Sequence, residues 1–415
     1  MGRIPSVACR FCSMLRGSHD YRMVPAVESG EIHCLMHFCT TCLVPDTRPN
    51  GRFDIEGRCQ ACRFVEQQGH VDFEQRLVEL KQRLHRLVRH RRRHRWHCIV
   101  GVSGGKDSHR QALWVRDRLG LRPLLVSIGY PPRQQAEVGP KNLSNLVALG
   151  FDCLTILPGP GTSRQLVRDG FLRFGNWQKA TEMALFSGVQ QAAIARNIDL
   201  VLWGENPALQ VGDLGSLGED MWDGNNLRNL NTLAGGDLDW FHEVLEDHRS
   251  TTLYRFPTHL ELERDGVNTV FLGPGWSDWS FSQNTAVALL HGFNLRSDTP
   301  ESTGDLYGSC QIDEDWTIVN GMIKWFKFGF SQGTEEANAL IRAGLITREQ
   351  GVEIAQRLDG ACDDAYIESF CAYIGLSLDE FWGEVRRWVN RELFDISSTG
   401  RPVPKFVPGT DLERS

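Results

Sequence analysis

The feature that most constrains the fold is a run of short apolar segments that alternate with helical patterns after His97. The four apolar segments are CIVGVS, PLLVSIG, FDCLTIL and DLVLWGEN. Short buried-type strands that alternate with helices predict right-handed β–α–β units, because two parallel strands must be joined by a crossover. The sequence therefore predicts an α/β fold whose parallel sheet is covered by helices on both faces.

The turn after the first strand carries the clearest functional signal, the SGGKDS of Ser103–Ser108. It does not fit the GxxxxGK[ST] loop of nucleotide hydrolases, because Asp107 follows Lys106 and the two glycines directly precede the lysine. Adjacent glycines let backbone N–H groups converge on an anion, and the next helix adds its positive dipole end. The pattern predicts a phosphate-binding loop. A plain strand-to-helix turn is the alternative.

Two further segments are expected at the same edge of the sheet. VLWGENP ends the fourth strand and SIG ends the second, and α/β proteins bind ligands at the carboxyl ends of their strands. Glycine in the first segment allows close approach, and its Glu and Asn offer groups for a ribose or a metal; an ordinary turn is the alternative. The residues expected to bind a nucleotide are Ser103, Gly104, Gly105, Lys106, Asp107, Ser108, Ser127, Gly129, Gly204, Glu205 and Asn206.

The twelve cysteines are distributed unevenly, with seven of them in the first 62 residues. Two CxxC pairs, Cys39/Cys42 and Cys59/Cys62, are separated by 16 residues, a spacing typical of a four-cysteine zinc ribbon. Four protein ligands leave zinc no open position, so we expect a structural role. An iron–sulfur cluster is the alternative.

A second metal site is conceivable before the ribbon, from Cys9, Cys12, Cys34 and His37, with His33 as a substitute for His37. Free thiols in an N-terminal extension are the alternative. The five remaining cysteines lie in apolar or helical contexts and are expected to act as small core residues.

Composition excludes several classes of protein. A hydrophobic fraction of 41%, a charged fraction of 23% and a formal charge of -7 are those of an ordinary soluble protein and argue against a general polyanion binder. No stretch of 18 apolar residues occurs, and the first 30 residues contain no apolar export-signal core. We therefore expect a cytoplasmic protein without a membrane partner, although Lys81–His97 is strongly basic.

The same patterns divide the chain into six regions. They are a cysteine-containing extension over 1–38, a zinc ribbon over 39–70, a basic connecting helix over 71–96, a nucleotide-binding domain over 97–310 with an irregular insertion at about 207–270, a helical region over 311–396 and a loose tail over 397–415.

SGGKDS matches the signature of the PP-loop ATP pyrophosphatases, whose fold is that of the adenine nucleotide alpha hydrolases. Most of the chain, from about Cys39 to Leu393, resembles the N-acetyl sugar amidotransferases of bacterial surface-polysaccharide and nonulosonic-acid biosynthesis. The segments that carry the resemblance are CTTCLVPDTRPNGRFDIEGRCQACR, VDFEQRLVELKQRL, GVSGGKDS, WGENPAL and KFGFSQGTEEANALIRAGLITREQ. The extension before Cys39 and the histidine at His109 depart from the family pattern.

The resemblance implies a reaction and its participants. ATP, with Mg²⁺, would adenylate the acetamido oxygen of a nucleotide-activated N-acetyl sugar, and ammonia would then displace AMP to leave an acetamidino group. Lys106, Asp107 and Ser108 would be the catalytic residues. Ammonia would come from a separate glutaminase with an ammonia-conducting subunit like that of histidine biosynthesis, because this chain has neither an N-terminal nucleophilic cysteine nor a GxCxG motif.

Residues that hold the sugar nucleotide are expected in or beside the matching C-terminal segment, although charged helix faces are commonly only solvated. The candidates are Lys324, Lys327, Arg342 and Arg348, with Trp222, Asp223 and Asp278 as weaker ones.

Two rival functions stay open. A tRNA-modifying PP-loop enzyme of the thiolase type also can carry an N-terminal zinc ribbon, and its basic helix would contact RNA phosphates. Thiolation usually needs a cysteine pair or cluster beside the nucleotide, and after SGGKDS the chain has no CxxC. Nucleic acid is therefore the less favoured partner. The other rival is a non-catalytic scaffold that binds AMP or ATP.

Overall fold

The protein is described from a computed structural model that covers residues 34–49, 51–91, 93–205, 222–229, 233–310 and 312–413. Its centre is a five-stranded parallel sheet, which confirms the predicted α/β fold. The strands of the described residues are β1 Cys34–Met36, β2 Cys98–Gly101, β3 Pro123–Ile128, β4 Asp152–Ile156, β5 Leu200–Trp203, β6 Asn268–Phe271, β7 Phe394–Ile396, β8 Pro402–Pro404 and β9 Leu412–Glu413.

The central sheet has the order β4-β3-β2-β5-β6, and each neighbouring pair is parallel. The four strands predicted from the apolar segments are present. β6 is a fifth strand that the sequence analysis missed, because its four residues lie at the end of the region expected to be an irregular insertion. That region also contains short helices, so it is only partly irregular.

Fifteen α-helices are described in this part of the chain. Their bounds are α1 Gln60–Gln68, α2 Phe73–Leu87, α3 Lys106–Asp117, α4 Val138–Ala148, α5 Pro160–Phe174, α6 Gln178–Ala195, α7 Asp239–Val244, α8 His259–Arg264, α9 Phe281–Leu290, α10 Pro300–Thr303, α11 Thr317–Phe328, α12 Gln332–Arg342, α13 Arg348–Leu358, α14 Asp364–Ile374 and α15 Leu378–Trp388. Among these, no helix is both long enough and apolar enough to cross a bilayer.

Alternate residues of the central strands enter two different cores, which is the pattern of a sheet covered on both faces. In β2, Ile99 packs in the core formed with α6, whereas Cys98 and Val100 pack in the core formed with α2 and α3. β2, β3 and β5 are buried along their whole length. The two cores hold the strand ends, and therefore the loops after them, in fixed positions.

The connecting helix is shorter than expected. Asp72 caps its start, since the Asp72 side chain accepts a hydrogen bond from the Gln75 backbone N–H at 2.9 Å. The helix ends at Leu87 rather than near residue 96. Val88, the residue after its end, is buried, whereas the basic residues that follow have no apolar face to bury.

The C-terminal helices surround a third core rich in aromatic side chains, and the expected loose tail differs from the structure. β8 pairs with β7, and β9 pairs with β1 near the start of the described chain. Phe406 lies buried between these strands and packs on Trp325 at a ring-centroid distance of 5.3 Å. Residues 402–413 therefore belong to the packed body of the protein.

Candidate functional site

The order of the central sheet reverses between β2 and β5. The chain proceeds from β2 outward to β3 and β4, and then returns to place β5 on the other side of β2. Val100 is level with Leu202, so the two strands end side by side. A crevice at such a reversal is where open α/β sheets bind ligands. Ser103–Ser108, here called the glycine loop, follows β2, and Gly204 and Glu205 follow β5.

Close backbone packing explains the first glycine of the glycine loop. Gly104 has φ +90°, which side chains other than glycine rarely adopt. A Cβ on Gly104 would lie 2.5 Å from the carbonyl oxygen of Gly139, and a Cβ on Gly139 would lie 2.6 Å from the Cα of Asp313. Gly105 precedes α3, and the first backbone N–H groups of that helix have no partner within it. Free N–H groups at a helix start are where proteins commonly bind anions, so binding of a phosphate here stays a prediction.

Lys106, within the glycine loop, is buried, with 5% of its surface exposed. Its Nζ lies 3.0 Å from Asp107 Oδ2, 3.2 Å from Cys310 Sγ and 4.3 Å from the centroid of the Phe281 ring. Burial disfavours the ammonium, but the Asp107 carboxylate outweighs this effect and raises the pKa of Lys106 above its usual range. The lysine therefore offers a permanent positive charge at the loop.

Asp107 is held on its other side by a chain of three residues. Asn284 Nδ2 donates to Asp107 Oδ1 at 2.6 Å, and Asn284 Oδ1 accepts from Arg110 Nη1 at 2.6 Å. Arg110 also pairs with Asp278, at 2.6 Å between Nη2 and Oδ2. Arg110 and Asn284 were not among the residues predicted from the sequence. Asp278 was expected as a weak substrate contact, and its partner in the structure is Arg110.

Glu205 is the most unusual group on the opposite wall. Its Oε2 is buried and has no hydrogen-bond partner in the described structure. Burial, with the nearby negative charge of Asp107 as a smaller contribution, raises the pKa of Glu205 to about 7. A carboxyl group with such a pKa can accept and release protons near neutral pH. Asn206 lies outside the described residues.

The remaining predicted nucleotide contacts lie at the same edge. Ser127 is buried within β3, and the backbone N–H of Gly129 donates to Ile156 O at 2.9 Å. A Cβ on Gly204 would lie 2.9 Å from the Trp279 ring, so glycine is needed there for packing. The structure brings the described candidates to one edge of the sheet, and their binding of a nucleotide remains a prediction.

Four buried cysteines form a candidate metal centre. Cys39 Sγ lies 3.9 Å from Cys62 Sγ, and Cys42 Sγ lies 3.7 Å from Cys59 Sγ. Tetrahedral thiolates at about 2.3 Å from a zinc ion would be about 3.8 Å apart, which matches these distances. The backbone N–H of Cys59 points to Cys39 Sγ at 3.2 Å. The set can hold a metal ion such as zinc.

The proposed second metal site is only partly described. Cys9, Cys12 and His33 lie outside the described residues. Cys34 lies in β1, and His37 is exposed, with its Nδ1 3.2 Å from Asp411 Oδ2. The second site stays a prediction.

The four predicted substrate residues form no hydrogen bond or ion pair with the glycine loop in the described structure. Lys324 Nζ pairs with Glu335 Oε1 at 2.9 Å, and Lys327 Nζ donates to Phe174 O at 2.8 Å. Burial lowers the pKa of Lys327 to about 8. Arg342 and Arg348 contact the cysteine cluster, so the four cations do not gather at one place.

Trp222 and Asp223, the weaker candidates, support β6. The backbone of Trp222 accepts from the Phe271 N–H at 3.0 Å, and Asp223 bridges to Val270.

Residues 301–403, about a quarter of the chain, match a family model described as LPS biosynthesis protein WbpG-like, C-terminal domain. No curated protein matches the chain. The matched region contains α11–α15 and Cys310, so it includes one contact of Lys106. This similarity fits the surface-polysaccharide context expected from the sequence.

Proposed function

We propose that the chain is an ATP-dependent amidotransferase that converts an acetamido group of a nucleotide-activated sugar into an acetamidino group during lipopolysaccharide or nonulosonic-acid biosynthesis. The observation that carries the proposal is the glycine loop at the strand reversal, which includes the buried and charged Lys106. The WbpG-like match of residues 301–403 supports the biosynthetic context.

The chemistry begins from an amide, which is a poor electrophile without a good leaving group. In the proposed first step the amide oxygen attacks the α-phosphorus of ATP, and the bond to the β-phosphate breaks to release pyrophosphate. In the second step ammonia adds to the activated carbon, loses protons, and AMP departs with the former amide oxygen. These two reaction steps require positioning and charge stabilisation rather than a nucleophilic side chain.

The described residues have separate parts in this proposal. The loop amides and Lys106 hold the departing pyrophosphate, whose charge Mg²⁺ would share. The hydrogen bonds from Lys106 and Asn284 orient the Asp107 carboxylate. Glu205 lies across the crevice, and its carboxylate takes a proton from the added ammonia. Its pKa of about 7 suits that transfer.

The ammonia source in the proposal is a separate glutaminase that acts with an ammonia-conducting subunit. Purified chain alone is therefore expected to use ammonium salts and to release no glutamate from glutamine. Glutamate release by the chain alone would contradict this part of the proposal.

The direct test supplies the purified chain with ATP, Mg²⁺, an ammonium salt and diacetamido sugars carried on UDP or on CMP. We expect AMP and pyrophosphate in equal amounts, together with a sugar product lighter by the difference between an oxygen atom and an NH group. Mass spectrometry identifies the product, and omission of each sugar is the control. Formation of ADP instead of AMP would contradict the proposal.

A tRNA-modifying function is the second candidate, because Cys310 Sγ lies 3.2 Å from Lys106 Nζ. A thiol at the loop is what sulfur transfer would use. In the amidotransferase Cys310 has no chemical step, so Cys310→Ser is expected to retain AMP formation to within about threefold, the effect of a changed packing contact. Pyrophosphate release that requires tRNA, and is lost in Cys310→Ser, would favour the thiolase.

A further inference from the structure

Arg342, the last residue of α12, lies against the candidate metal centre. Its Nη1 is 3.8 Å from Cys42 Sγ. The same helix reaches the ribbon at a second point, because Asn338 Oδ1 accepts the backbone N–H of Leu43 at 2.6 Å. Leu43 directly follows Cys42, so these two contacts of α12 fall on one knuckle of the cysteine cluster.

The negative charge of a metal-bound cysteine cluster would favour a cation at the position of Arg342. Four thiolates around a divalent ion carry a net charge of about -2, and buried charge is costly without a compensating partner. Two other arginines near the ribbon have different partners. Arg58 pairs with Asp54 and Glu66, while Arg348 contacts the carbonyl oxygens of Cys42 and Gly409 at 3.3 and 2.7 Å.

We propose that Arg342 is the counter-cation of the four-cysteine metal centre, and that it acts on metal retention rather than on the sugar substrate. Arg342 is a positioning residue in this role, because its guanidinium contacts the thiolate of Cys42 and not the metal. Outer partners of metal ligands commonly determine how tightly the ion is held. The proposal rests on the metal centre and is independent of the amidotransferase reaction.

α12 links the ribbon to a second part of the protein. Near its start, Glu336 Oε2 accepts the backbone N–H of Leu306 at 2.8 Å, in the segment that leads to Cys310. Glu335, one residue earlier, pairs with Arg48 of the ribbon at 2.8 Å. One helix therefore contacts both the ribbon and the segment beside Lys106.

The test compares full-length Arg342→Gln and Arg342→Lys with the matched control Arg357→Gln, which removes an exposed arginine of the neighbouring α13. Zinc affinity is measured by competition with a chromophoric chelator. Arg342→Gln is expected to weaken zinc binding about 10- to 100-fold, Arg342→Lys much less, and Arg357→Gln not at all. Wild-type affinity in Arg342→Gln would overturn the proposal, as would a wild-type chain that binds neither zinc nor iron.

A second measurement separates charge compensation from general packing. The unfolding midpoint of each variant is determined with zinc and after metal removal. The metal-free cluster no longer carries the charge of four metal-bound thiolates, so the destabilisation caused by Arg342→Gln should shrink in the metal-free protein. Equal destabilisation in both states would overturn the proposal, and this comparison remains usable if the variant is too unstable for affinity measurements at low zinc.

Discussion

Replacing Lys106 by alanine is expected to lower AMP formation by at least about 10²- to 10³-fold, the usual effect of removing one preorganised group that stabilises transition-state charge. The ammonium is buried and belongs to the glycine loop, where a departing pyrophosphate would develop negative charge. Water cannot replace it effectively, because a charge acts more strongly in a buried site than in bulk solvent. The measurement is the rate of AMP and pyrophosphate release with saturating sugar and ammonium.

The matched control is Lys141→Ala. Lys141 lies on α4, is 62% exposed at its side chain and pairs with Glu137, so it carries the same charge without a place in the crevice. We expect it to retain wild-type turnover. Both variants should keep the wild-type circular dichroism spectrum. AMP formation by a folded Lys106→Ala protein at the wild-type rate would remove the glycine loop from the proposed mechanism.

Removing the ribbon metal is expected to have the largest effect on stability. Zinc binding stabilises small zinc-finger peptides by roughly 10 to 16 kcal/mol, because the site exists only in the folded chain. In this larger protein we expect Cys39→Ser, or chelation, to lower the free energy of unfolding by at least about 3 kcal/mol, a part of that value. Cys39 is fully buried, and its sulfur is also the acceptor for backbone N–H groups of the ribbon.

Metal content and denaturant unfolding curves, each with and without chelator, measure this effect. Cys153→Ser is the control, since Cys153 lies in the edge strand β4 and outside the cluster. Loss of the metal should also expose Leu43, which is packed against α12 and α13. An unchanged unfolding midpoint after complete metal removal would contradict a structural centre.

Short-range patterns predicted much of the fold correctly. β2, the strand before the glycine loop, is short and buried throughout, and the cap at Asp72 depends on residues within one helical turn. The capping box of Thr347 and Gln350 is likewise formed by residues three positions apart. These features are local because a buried strand or a helix start is defined by neighbours in the chain.

Long-range pairing explains the misses. β9 was expected to be part of a loose tail, yet it pairs with β1, where Glu413 is opposite Cys34. β6 is only four residues long, and its position beside β5 gives it a partner that its own sequence does not reveal. Strand pairing between distant segments depends on the whole packed chain rather than on local propensity.

The sequence by itself located two candidate sites: the glycine loop, whose residues are consecutive, and the cysteine cluster, whose paired spacing limits the ligands. Only the tertiary structure decided what surrounds them. Asn284 and Cys310 reach the loop from about 180 and 200 residues away, and Arg342 reaches Cys42 across 300 residues. Hydrogen bonds and charge contacts act over a few ångströms in space. Separation along the chain therefore does not predict which residues make them.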